Sequence, residues 1–298
     1  MVSIPRDSLV DIPACPVTGG GTTRASEHTM FNEAFSRGWD AGQDLASAAA
    51  CTVRTVHAST GVLADHAVVV DFAGFEDMVE AIGGVPICVP QHMRATEAGL
   101  DLPAGRHVLD GPTALAFARA RDGEEGLGDG SDINRIGNQQ RLVAAIVQEV
   151  LAKNVLTDVP QLTRFLSAGT SSLTVDEGLK GDALGLVYSL RSLRAEDITF
   201  VTVPWTPART NKNKVDWTAE ADELWANVAA DRPALGTPGT PAGEPAPGGT
   251  APDATAPGPG ESTATPGAAT PPDAPAPSQT RRAGREPFTA NDTTAVCG

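Results

Sequence analysis

Four short stretches of this chain concentrate polar side chains that a protein core does not need. Ser3-Ile4-Pro5-Arg6-Asp7-Ser8 reads as a strand stopped by Pro5, with an arginine and a carboxylate at its carboxyl end. Open α/β sheets bind ligands at that edge, although Arg6 and Asp7 would also satisfy each other as an exposed pair worth less than ~1 kcal/mol. Arg119-Ala120-Arg121 sets two guanidinium groups at i and i+2. In an extended segment both project to one face, either around a shared anion or into solvent. Arg135 and Gln139 stand four apart at the start of a long helical pattern, so they stack beside the positive end of the helix dipole. That is an anion site or a solvated first turn. In Phe31-Asn32-Glu33-Ala34-Phe35, Asn32 follows a Gly-rich loop and either positions a substrate or sits in a turn anchored by two Phe side chains. Of the 22 basic residues 18 are Arg, whose planar fork grips phosphate at two points, although genomic base composition can produce the same bias.

Other chemistries fail on spacing. The histidines His28, His57, His66, His92 and His107 form no H-x-H or H-x-x-x-H pair, and successive cysteines lie 36, 37 and 209 residues apart, which argues against zinc. No nucleophile elbow, phosphate-binding P-loop or dinucleotide fingerprint occurs. His66 precedes a valine run and is expected to cap or pack, and Cys88 reads as an inert core thiol inside an apolar strand. A net charge of −15 opposes nucleic-acid binding, which requires a basic face. No run of 18 apolar residues is present, and Met1 to Leu9 does not read as a secretory signal.

The elements that must position these residues alternate between strand and helix periodicities. Val2 to Ile4 is a strand end, and Leu45 to Thr60 a helix with apolar positions Leu45, Ala49, Val53 and Val56. His66 to Phe72 suits a strand buried on both faces. Phe75, Met78, Val79 and Ile82 mark a helix stopped by Gly83-Gly84, and Val85 to Val89 a second strand. Asp110-Gly111-Pro112 caps a short helix through Phe117. Ser131 or Asp132 caps a longer one, striped by Ile133, Ile136, Val143, Ile146, Val147 and Val150. Helices near 159–167, 181–193 and 218–230 surround a strand at Ile198 to Val203. Together these imply an α/β layer architecture over residues 1–232. Residues 233–298 hold 14 of the 24 prolines, with Leu235, Phe288 and Val296 as almost the only large apolar side chains. They are expected to form a disordered Pro/Ala/Thr/Gly-rich tail, a wall-spanning spacer or a plain solvated end.

In order along the chain, the stretches around Arg6, Asn32 and Asp65-His66, then Val70-Asp71-Phe72-Ala73-Gly74-Phe75, Gly83-Gly84-Val85, Gly99-Leu100-Asp101-Leu102-Pro103-Ala104-Gly105, Leu115 to Arg121 and Asp132 to Gln140 resemble the LytR-CpsA-Psr family. The resemblance is dense over residues 1–150, with weaker completion over 151–232. It implies a three-layer α/β/α domain with a mixed central sheet. It also implies an envelope phosphotransferase that moves a glycan-1-phosphate from a polyprenyl-diphosphate carrier to peptidoglycan, or hydrolyses the diphosphate. By resemblance Arg6, Arg119, Arg121, Arg135 and Gln139 hold the diphosphate. Asn32 belongs to the substrate-binding set, and Asp7 acts on metal, as a base or to orient Arg6. Phosphoryl transfer rests mostly on positioning and charge stabilisation, which an arginine fork with Mg²⁺ supplies. Cys15 and Cys51 flank the Asn32 loop and would pair as a disulfide in an extracytoplasmic protein. The family carries a transcriptional-attenuator label, but nothing in the sequence supports DNA binding.

Family members usually begin with a transmembrane helix and a strand pair whose aspartates bind Mg²⁺, all of which would lie upstream of Met1. Membrane anchoring is therefore expected only through such a segment, and the sheet is expected to be incomplete beside Val2 to Ile4. A chain lacking those aspartates could instead be a non-catalytic polyprenyl-phosphate binder or a remnant. Met30 stands where a Lys often precedes the Phe-Asn pair, and Asn138 where an Arg is common before Gln139; both would weaken anion grip.

Overall fold

The computed structural model describes residues 1–120, 132–153, 173–176, 178–179, 185, 189–190, 192–236 and 284–293. The first half runs β1 (Val2–Ser3), β2 (Leu9–Ile12), β3 (Ser26–Met30), α1 (Glu33–Gly42), α2 (Leu45–Thr60), β4 (Val68–Val70), α3 (Phe72–Ala81), β5 (Val85–Val89), β6 (Met93–Ala95), β7 (Leu100–Leu102), β8 (Gly105–Leu109) and α4 (Gly111–Arg119). The second runs α5 (Asp132–Ala152), β9 (Leu173–Val175), β10 (Thr199–Thr202), β11 (Trp205–Pro207), β12 (Val215–Trp217), α6 (Ala219–Ala229) and β13 (Phe288–Thr289).

The central sheet is mixed: β1 runs parallel to β10, which runs antiparallel to β13. Its period-2 alternation creates the layers. Val201 and Val203 pack with Ala221, Leu224 and Trp225 of α6, and Val2 and Ile4 join them. Phe200 faces the other way, onto Ala144 of α5. Ser3 and Thr202, register partners across β1 and β10, share that second face and meet α5 through Gln140. Among the described residues β1 pairs with no strand but β10. The largest core lies beyond α5, where Leu142 and Ala145 pack with Val79 and Ile82, with strands β5 to β8, and with Ala114 and Phe117 of α4.

Local signals set the helix ends. Asp44, Asp71 and Asp110 accept hydrogen bonds from the N–H groups of Ser47, Gly74 and Thr113, capping α2, α3 and α4. Gly61 stops α2 in the left-handed conformation. The helix expected over 45–60 therefore has its expected bounds, but it buries a different face. Ser47, Ala48, Cys51 and Thr55 point inward, because α1 approaches so closely that a Cβ on Gly38 would stand 2.4 Å from the Ser47 carbonyl.

Three further expectations change. The valine run is only the short β4, paired with β9, and Val68 and Val70 are exposed rather than buried on both faces. Cys88 is disulfide-bonded, not a free thiol. Cysteine burial does not distinguish the two states, whereas an even cysteine count is compatible with full pairing. Residues 284–293, assigned from composition to the tail, rejoin the body as β13 and a 3₁₀ turn with Phe288 and Ala290 buried. The helices expected at 159–167 and over most of 181–193 lie outside the described residues.

Candidate active site

Two clusters contain the polar stretches. The first is built on helices α4 and α5. Gly111 seats α4 against α3: its N–H donates to Glu80 Oε1 at 2.8 Å, and a Cβ there would stand 2.7 Å from the Glu76 carbonyl. This close approach fixes the axis that ends at Arg119. Arg119 is thus the last residue of a helix rather than part of an extended segment, and Arg121 lies outside the described residues. The Arg119 guanidinium lies 4.9 Å from the centre of the exposed Phe72 ring at the start of α3. Gln139 donates from Nε2 to the Ala118 carbonyl at 3.2 Å, tying α5 to the end of α4.

Arg119, Arg135 and Gln139 line one cavity of about 340 Å³ with Phe72, Ala95, Glu97 and Ala98. A second cavity of about 330 Å³ shares Phe72, Arg119 and Gln139 with the first. It is walled mainly by Val70, Phe75, Leu115, Leu142 and Val143. Two chambers, one cationic and one apolar, thus meet at a shared wall. Glu97 is the acidic residue lining the cationic one.

The second cluster is the turn after β1. Arg6 and Asp7 are 3.5 Å apart, with Asp7 the less exposed partner. The Arg6 carbonyl accepts from Asn32 N–H at 3.1 Å, and the Asp7 carbonyl from Val215 N–H at 3.1 Å. Buried Ser8 accepts from Trp217 Nε1 at 2.9 Å. Asn32 is exposed, and its side chain makes no capping hydrogen bond to α1. Phe31 packs against Val10, Ile12 and the Cys15–Cys51 disulfide. None of Arg6, Asp7 and Asn32 lines either chamber.

The link between the clusters is Gln140, a residue absent from the sequence-derived site. Its Nε2 donates to Ser3 Oγ at 2.8 Å and Thr202 Oγ1 at 3.1 Å, and its Oε1 accepts from Gly284 N–H at 3.0 Å. The amide is 2% exposed and satisfied in both senses. The sequence does hold a signal, because Gln140 interrupts the apolar stripe of Ile133, Ile136, Val143 and Val147. Asn138, at the position where an Arg is common, is buried. Arg141 is pushed below the usual arginine range by burial; it donates to the Cys88 carbonyl and lies 5.8 Å from the Phe117 ring centre.

Among the described residues no group of three or more His, Cys, Asp or Glu could hold a metal. Asp7 is engaged with Arg6, and Asp71 is used as the cap of α3. These described carboxylates do not assemble a Mg²⁺ site. No helix among them is long and apolar enough to cross a membrane.

The profile of the LytR_cpsA_psr family matches residues 1–231. The chain belongs to the LytR-CpsA-Psr family. It is 30% identical over 218 residues to the cell wall biosynthesis protein LcpA of Corynebacterium glutamicum, covering 69% of this chain and 40% of that one. It is also 30% identical over 215 residues to the polyisoprenyl-teichoic acid–peptidoglycan teichoic acid transferase TagT of Bacillus subtilis, covering 70% and 58%. Its match thus spans about half the length of these LytR-CpsA-Psr relatives. The fold is shared with a LytR-Csp2A-Psr enzyme from Actinomyces oris, at TM-score 0.53 and 25% identity over 76% of this chain and 78% of that one.

Proposed function

We propose that this chain carries the phosphotransferase domain of a cell-wall glycopolymer ligase. It takes a glycan-1-phosphate from a polyprenyl-diphosphate carrier and passes it to peptidoglycan. The observation that carries this reading is the shared wall between the cationic and apolar chambers, where an amphiphile with a diphosphate head and a hydrocarbon tail is matched at both ends. Arg119 and Arg135 bind the head, and Gln139 orients it. Arg119, held over Phe72, sits where head meets tail. An acceptor hydroxyl oxygen attacks the glycan-bearing phosphorus, the bond to the bridging oxygen breaks, polyprenyl phosphate leaves, and the hydroxyl proton passes to solvent. The two guanidinium groups offset negative charge building on the phosphoryl oxygens. Arg6, oriented by Asp7, and Arg121 join this set on the family pattern, with Asn32 beside the glycan.

The names of LcpA and TagT support the same direction, since one concerns cell-wall biosynthesis and the other teichoic acid transfer to peptidoglycan. The Cys15–Cys51 bridge and the oxidised state of Cys88 suit an extracytoplasmic site of action. Membership of the family is consistent with a divalent-metal dependence, for which the described carboxylates assemble no site. The test is transfer from a polyprenyl-diphosphate glycan to peptidoglycan by wild type and Arg135→Ala. The variant should stay folded and lose transfer; unchanged turnover would remove Arg135 from the mechanism. Carrier binding by wild type with no turnover would favour the non-catalytic binder instead.

A further inference from the structure

Helix α5 presents two stripes at right-handed helical spacing. Arg135, Gln139 and Leu142 line the chambers. Gly137, Gln140, Ala144 and Gln148 meet the segment 284–293, with Gln140 also bordering the apolar chamber. Gly284, at φ +85°, lies so close that a Cβ there would stand 2.6 Å from the Ile133 carbonyl and 2.9 Å from Gly137 N. Gly284 N–H donates to Gln140 Oε1. Phe288 stacks on Phe200 with ring centres 5.1 Å apart, in a cluster with Ala144 and Ala290. The Ala290 carbonyl accepts from Gln148 Nε2, and Ala290 N–H donates to the Ile198 carbonyl at 3.0 Å. Backbone pairing of β13 with β10 holds the segment in register. These contacts bracket Arg135 and Gln139 and run about four turns along the helix, from Ile133 to Gln148.

We propose that residues 284–293 are a C-terminal strap that sets the position of α5 on the sheet, and so places Arg135 and Gln139 in the cationic chamber. The segment is then a positioning element packed on the body rather than the end of a tail. The placement clause rests on the diphosphate reading; the contact of strap and helix does not. The side chains that make the strap work are Phe288 as anchor and Gly284 as the point of backbone contact, with Gln140 relaying that contact to Ser3 and Thr202.

The test uses the full chain with Phe288→Asp, its conservative counterpart Phe288→Leu, and Gly284→Ala, which keeps the anchor while forcing the backbone off Ile133. Amide exchange is followed in 133–140 against 72–81 of α3, together with calorimetric binding of inorganic pyrophosphate below the unfolding transition. Phe288→Asp should speed exchange in 133–140 by roughly tenfold or more while leaving 72–81 unchanged. Pyrophosphate affinity should fall roughly tenfold, because small misplacements of a binding group are costly. Phe288→Leu should restore both. Gly284→Ala should weaken pyrophosphate several-fold at temperatures where the variant is folded, and it decides the matter if Phe288→Asp does not fold. Unchanged exchange at 133–140, or equal acceleration in both segments, would overturn the strap. Failure of the wild type to bind pyrophosphate would overturn the diphosphate reading, while the exchange result would still decide the strap.

Discussion

Gln139 and Gln140 are adjacent, and the structure gives them opposite work. Gln140 makes three hydrogen bonds from a nearly solvent-free position, to Ser3, Thr202 and Gly284. At about 1 kcal/mol net for each, and with the Gly284 N–H left without its acceptor, Gln140→Ala should destabilise the domain by about 3 kcal/mol. For a domain of this size that corresponds to a fall of roughly 6–12 °C in Tm. Gln139 is exposed and makes one hydrogen bond, to the Ala118 carbonyl. Gln139→Ala should therefore cost less than about 1 kcal/mol and leave Tm nearly unchanged, while weakening pyrophosphate binding. Thermal unfolding by circular dichroism, paired with calorimetric titration, separates the two effects. Equal Tm losses in the two variants, or a larger loss in Gln139→Ala, would refute the assignment of Gln140 as the sheet-to-helix link.

Arg135→Ala should weaken pyrophosphate binding by roughly 10- to 150-fold, the equivalent of a charge-assisted hydrogen bond of about 1.5–3 kcal/mol, read by calorimetry. Replacing Cys15 and Cys51 together by Ser opens a bridge across a sequence separation of 36 and should cost about 4 kcal/mol in urea unfolding. Asp176 is held far below the usual carboxylate range by the N–H groups of Ala67 and Leu179, and further by His66. Asp110 is lowered in the same direction by Thr113. Carboxylates with depressed folded pKa values contribute stability above the unfolded value of about 4 and lose it as pH falls through the folded value. Midpoints of urea unfolding should therefore fall as pH drops below about 4, and less steeply in Asp176→Asn.

Local patterns carried the element boundaries, and long-range geometry carried most of what the sequence hid. Asp44 and Gly61 bracket α2, and Asp110 opens α4, because caps act within one turn. Which face of α2 is buried depends on α1, whose Gly38 demands small neighbours, so the Leu45-Ala49-Val53-Val56 stripe misled. Arg135 and Gln139 were legible from helical spacing. Phe72 and Glu97 were not, since each lines the chamber from a different element. The strap was hidden by distance in sequence: β13 pairs with β10 across the Pro-rich stretch, and two residues of strand leave no periodicity to read. Phe288 stood out only as a rare apolar side chain in an apolar-poor region.

If one ligand spans both chambers across the wall of Phe72, Arg119 and Gln139, as proposed, its head and its tail must contribute separately to binding. The direct measurement is calorimetric titration of farnesyl diphosphate and inorganic pyrophosphate into wild type and into Phe75→Asp, which places a charge in the apolar chamber alone. Wild type should bind farnesyl diphosphate more tightly than pyrophosphate, and Phe75→Asp should erase that difference while leaving pyrophosphate affinity in place. Equal affinities for the two ligands in wild type would mean that no ligand spans the two chambers.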